Sequence, residues 1–184
     1  MARTRPARYI ADDTAWRSLP ACSRALIIRG GADHQMLAIE RQHERIQEYG
    51  REVFTIGLLN LPTGRSMCGL IDADFFLLSV RRLRRVCDLA RRSSLPTASL
   101  RVPIRRFEAQ VETVTPVRDF FEHFDEATIE GRTGLGLGTT PDQMTITYAG
   151  AMLDTQKLLT AARQVHRAIR AVVDPIAFAD VHYQ

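Results

Sequence analysis

The sequence predicts a mainly α-helical bundle of about four long helices, with a small β-hairpin just before the last of them. Three observations lead there. Apolar residues recur at helical spacing in four separate stretches. Most connections between those stretches are short and marked by Pro, Gly and Ser. One stretch, over 135–150, abandons the helical period for alternation. Amphipathic helices with short connections bury their apolar stripes against one another. A chain of 184 residues with 45% hydrophobic content is large enough to do so around one core.

Residues 1–31 read as a basic N-terminal arm and an irregular lead-in. Arg3, Arg5 and Arg8 alternate with small residues and Pro6, and Gly30-Gly31 interrupts the chain before the first strong pattern. Residues 32–184 read as a single helical-bundle domain. Its first helix is expected from Ala32 to about Leu59, with Asp33 as N-cap and Ile39, Ile46 and Val53 repeating every seven residues. His43, Gly50 and Gly57 form a parallel row. Glycine costs a helix about 1 kcal/mol against alanine, so these two suggest a close helix–helix approach, or in Gly57 a helix end. Leu61-Pro62-Thr63-Gly64 stops the helix.

The second helix is expected from Gly69 to Arg92, with Phe76, Val80, Leu83, Cys87 and Ala90 as its buried stripe. Arginines at 81, 82, 84, 85, 91 and 92 fill the rest, either as a solvated face or as a surface that tracks phosphates. After a loop at 93–103, a third helix opens at Pro103 with Ile104, Phe107, Val111 and Val114 inward. Thr115-Pro116 is a kink or a fresh helix start, and Gly131 ends the segment beyond it. Met144, Ile146 and Tyr148 alternate with threonines, which gives a hairpin at about 135–148. The glycines of Gly134-Leu135-Gly136-Leu137-Gly138 are not followed by a helix, as a phosphate loop requires. The last helix spans Asp154–Val173 on a stripe of Leu158, Ala162, Val165, Ile169 and Val172, with Arg163, Arg167 and Arg170 as a second basic row.

Charge and cysteine usage bound the function. A net charge of +4 permits a polyanionic partner such as RNA, bound through the arginine-rich helix faces, without requiring one. Cys22, Cys68 and Cys87 are odd in number and form no C-x-x-C pair, which fits free thiols in a reducing cytoplasm. No apolar run has the length of a signal peptide or a membrane span, so a cytoplasmic protein without membrane contact is expected.

The richest stretch chemically is TPVRDFFEHFDE, residues 115–126. On a helical wheel Val117, Phe120, Phe121 and Phe124 share one arc and form the core face, leaving Arg118, Asp119, Glu122, His123, Asp125 and Glu126 outside. Arg118–Glu122 and Asp119–His123 have the spacing of i, i+4 ion pairs on a solvated face. The same residues, Arg118-Asp119-x3-His123, match an R-x4-H pattern with a polar residue after the arginine. Arg29–His34 has the spacing but is followed by Gly30 and fails the second requirement. The stretch resembles the signature of the higher-eukaryote and prokaryote nucleotide-binding superfamily, HEPN.

The resemblance implies a helical bundle, a homodimer with a composite site, and a metal-independent endoribonuclease that needs no cofactor. It also implies a defence or toxin–antitoxin setting. In that reading His123 moves the proton of the 2′-hydroxyl. Arg118 stabilises charge on the phosphorane, and Asp119 orients one of the two. Glu122, Asp125 and Glu126 oppose it, because negative charge favours imidazolium and repels a phosphate backbone. Those carboxylates equally suit a non-catalytic protein-interaction module. A third reading is a metal-binding bundle built on Glu40-x-x-His43, although no second E-x-x-H accompanies it. His166 and His182 stand alone, and Cys87 has no visible base partner, so a thiol nucleophile has no support.

Overall fold

A computed structural model describes residues 13–62, 65, 68–122, 136–140 and 144–178. Among them are six α-helices and three strands, a mainly helical fold as expected. The helices are α1 (Asp13–Ser18), α2 (Ala21–Ile56), α3 (Cys68–Arg92), α4 (Arg101–Thr113), α5 (Thr115–Glu122) and α6 (Thr155–Val172). The strands β1 (Gly136–Thr139), β2 (Met144–Tyr148) and β3 (Ala151–Asp154) form an antiparallel meander in that order.

The first helix begins at Ala21, not at Ala32, and runs through Gly30-Gly31 without a break. Ala25, Ile28 and Ala32 are fully buried. Burying Ile28 contributes about 1.5–3 kcal/mol and each alanine methyl somewhat under 1, together enough to outweigh about 1 kcal/mol for each glycine. Arg24 also ties the start of α2 to the end of α1, donating to the carbonyls of Arg17 and Leu19. The helix ends at Ile56 because Gly57 adopts φ of 80°, a left-handed conformation natural only to glycine. Gly50 does mark a close approach, but to a strand. A Cβ there would lie 2.9 Å from the Cβ of Met144 on β2.

α2 and α3 form a long antiparallel pair, as their contacts run in opposite directions: Tyr49 on Gly69, Arg45 on Asp72, His43 on Phe76, and Gly31 on Val86. The expected stripe Phe76, Val80, Leu83, Cys87 and Ala90 is buried along its whole length. α6 lies antiparallel on another face of α2, with Arg163 bonded to Glu40 at 2.9 Å and His166 to Asp33 at 2.7 Å. Asp154 caps α6 by accepting from the Lys157 N–H at 3.0 Å. α4 packs on α6 and α3 through Ile104, Phe107 and Val111, all buried as expected.

Of the two alternatives at Thr115-Pro116, the structure has the fresh helix start: Val114 leaves helical geometry at φ −104° and ψ 9°, and Pro116 sits in the first turn of α5, where its missing N–H costs nothing. One local expectation is corrected. The β element has a third strand beyond the hairpin. Ala149 and Gly150, both at positive φ, make a tight two-residue turn that pairs Tyr148 with Ala151. Met144, Ile146 and Leu153 point into the core from β2 and β3. Phe124 and the expected helix end at Gly131 lie outside the described residues.

Candidate functional site

α5 presents Arg118 and Asp119 because its other side is anchored. Val117 is fully buried and Phe120 is 6% exposed, with the Phe120 ring centroid 4.6 Å from that of Tyr148 on β2. Phe121, expected on the same core arc, is only half-buried and meets Phe120 edge-on at 5.7 Å. The helix rotates so that Phe120 is the inward ring. This leaves Arg118 and Asp119 half-buried at the rim.

The guanidinium of Arg118 bonds the carboxylate of its chain neighbour Asp119. Nε donates to Oδ1 at 3.0 Å, and the terminal Nη2 reaches the same oxygen. The spacing suggested an Arg118–Glu122 pair as well. The Glu122 side chain, His123, Asp125 and Glu126 lie outside the described residues, so the expected Asp119–His123 pair does too.

A second arginine element from α3 joins this rim. The pKa of Arg81 is pushed below its ordinary value first by burial, then by the positive charges of Arg85 and Arg118, with Asp119 opposing. Arg81 therefore lies within electrostatic reach of both Arg118 and Asp119 on α5 and of Arg85 on its own helix. In the sequence Arg81 belongs to a long basic row with no sign that it meets α5. The juxtaposition is made by the packing of α5 on α3.

The other arginines of the two basic rows are mostly committed to carboxylates. Arg91 forks onto Glu108 with both bonds at 2.5 Å, and Arg84 approaches Glu108 and Glu112 at 3.9 and 3.6 Å. On α6, Arg163 pairs with Glu40 and Arg170 approaches Asp33 at 3.8 Å. These pairs pin α4 to α3 and α6 to α2. Open grooves at Glu48–Ile56, between α4 and α6, and at Arg91–Ile104 are lined by other residues.

Glu40 and His43 do not converge as metal ligands. Glu40 turns outward to Arg163, whereas His43 is buried beside Phe76, with its ring 3.4 Å from the amide of Gln47, which also donates to Thr155 at 3.2 Å. Among the described residues, no three His, Cys, Asp or Glu side chains gather at one point. Burial pushes the Cys87 thiol up to about 12, which suits an inert core thiol rather than a nucleophile. No described helix is long and apolar enough to cross a membrane.

His43 yields a pH prediction. Burial, then the charge of Arg163, holds its pKa below the ordinary 6.5, against the opposing effects of Glu44, Asp154 and Gln156. Above that value the imidazole is neutral in both folded and unfolded chains. As pH falls through and below 6.5, the unfolded chain takes up the proton first, so stability drops. Urea titrations between pH 7.5 and 5 should show wild type losing stability more steeply than His43→Gln. Parallel curves would place the acid-labile group elsewhere.

Comparison with protein-family models, with curated proteins and with solved structures finds no match to this chain.

Proposed function

We propose that this chain is a HEPN-like helical protein that binds RNA at the α3–α5 rim and cleaves it without a metal. The observation that carries the reading is the packing of α5 on α3, which sets Arg118, braced by Asp119, within electrostatic reach of Arg81 from a helix distant in sequence. Guanidinium groups gathered in this way suit the paired oxygens of a phosphodiester.

In the proposed reaction, the 2′-oxygen of the RNA attacks the adjacent phosphorus and its proton passes to His123. The bond from phosphorus to the 5′-oxygen breaks, and that oxygen takes a proton from solvent water, while the proton on His123 returns to solvent. Arg118 offsets the charge that builds on the phosphorane oxygens, and Asp119 keeps the guanidinium oriented. The products are a 2′,3′-cyclic phosphate and a 5′-hydroxyl. A defence or toxin–antitoxin role belongs to the resemblance and extends this reading.

Purified protein should cut single-stranded RNA in EDTA and leave DNA of the same sequence intact, since DNA lacks the nucleophile. Arg118→Ala and His123→Ala should each slow cleavage by about 10²-fold, the scale of one lost charge-stabilising or proton-transfer group. Arg81→Ala should weaken RNA binding and make it less salt-sensitive. RNA that binds but is never cut would reduce the reading to an RNA-binding protein. RNA that neither binds nor is cut would favour a protein-interaction module.

A further inference from the structure

We propose that the outward stripe of α3 docks a partner protein, receiving an amphipathic helix whose contact line is apolar at one end and acidic at the other. Ile71, Phe75, Leu78, Arg82 and Arg85 fall at i, i+4, i+7, i+11 and i+14, so they share one line along α3. This line lies roughly opposite the buried stripe of Phe76, Val80 and Leu83. Ile71 is 51% and Phe75 48% exposed, Leu78 is half-buried, and Arg82 and Arg85 are exposed. The stripe is therefore apolar over the first two turns and cationic beyond Leu78.

These arginines differ from those on the flank of the same helix. Arg84 and Arg91 have Glu108 and Glu112 as partners, whereas Arg82 and Arg85 meet no carboxylate among the described residues. Neighbouring α2 adds to the positive charge. Arg45 is anchored to buried Asp72 at 3.1 Å. Exposed Arg41 lies one turn further toward the cationic end, and it too meets no carboxylate among the described residues. Asp74 borders the stripe only at its apolar end, and Asp88 is engaged by Arg91 at 3.4 Å.

The lengthwise division selects the occupant. A lipid surface sorts apolar and charged groups by depth, so a helix lying on it cannot place both halves of one line correctly. An RNA strand would use Arg82 and Arg85 but leave Ile71 and Leu78 without a match. A helix laid along α3 can carry apolar anchors at one end and carboxylates at the other, and so meets both halves at once. From Ile71 to Arg85 the stripe extends roughly 21 Å, about four turns of such a helix. It contains neither Arg118 nor Asp119, so this inference is independent of the RNA reading.

The probe is a lactam-bridged helical peptide of about 16 residues, with Leu along one half of its contact line and Glu along the other. Fluorescence anisotropy with the full chain should show saturable binding below about 100 µM. A control of the same composition, with Leu and Glu alternating along the contact line, should bind at least about tenfold more weakly. Phe75→Ser and R82E/R85E should each weaken binding of the divided peptide by about tenfold or more. R82E/R85E should instead bind a version in which Lys replaces every Glu. These side chains are largely exposed, so thermal melts of the variants should match wild type. Equal binding of the divided and alternating peptides, or no binding of either, would overturn the proposal. So would a Phe75→Ser variant that loses RNA binding, no longer pellets with phosphatidylglycerol vesicles that hold wild type, or sediments as a monomer where wild type is a dimer. Each of those results would give the face to a different occupant.

Discussion

Phe120→Ala is expected to destabilise the protein by about 3–5 kcal/mol, and Phe121→Ala by distinctly less. Phe120 is buried between α5 and β2, with Tyr148 close on one side and Phe121 edge-on at another. Removing its ring deletes apolar burial and leaves a void that the anchored Val117 cannot fill. Phe121 is only half-buried, so water already covers part of what alanine would expose. Urea denaturation of the two variants gives the ranking directly. An equal or reversed ranking would mean that α5 is rotated by about one residue, about 100°. Arg118 and Asp119 would then leave the rim they share with Arg81.

Gly69→Ala is expected to cost about 1–3 kcal/mol, although the change raises intrinsic helix propensity by about 1 kcal/mol. A Cβ at this position would stand 2.2 Å from two ring carbons of Tyr49. Tyr49 is 1% exposed and enclosed between α2 and α3, so its ring has nowhere to swing. The physical test is a double-mutant cycle. In a Tyr49→Leu background the clash disappears, and Gly69→Ala should become neutral or stabilising. The same penalty in both backgrounds would locate its cause in the backbone and not in the ring.

The helices and their inward faces were legible in the sequence because burial imposes a period. Phe76 to Ala90 on α3, Ile104 to Val111 on α4 and Leu158 to Ile169 on α6 recur at helical spacing, and each is buried where the period puts it. Capping was legible only in part: the expected cap Asp33 lies inside α2 and bonds His166, whereas Asp154, at the expected start of the last helix, accepts from the next turn. The candidate site was legible only along its own helix. Arg118 and Asp119 announce themselves by spacing, while their contact with each other as chain neighbours was not among the expected pairs.

What sequence by itself determined about this protein is therefore the helical class, the core faces and the residue chemistry of α5. Tertiary structure decided where local preference was weak or divided. It carried α2 through two glycines because Ala25, Ile28 and Ala32 are buried around them. It turned Gly50 toward a strand, not a helix, and chose Phe120 over Phe121 as the inward ring. It also brought Arg81 to Arg118 across a gap in sequence that no periodicity spans. The physical reason is one of range. Propensity, capping and amphipathic period act within a few residues. The partner of a side chain on the far side of a helix is set by the packing of whole elements, where burial energies of several kcal/mol outweigh local terms of about 1 kcal/mol or less.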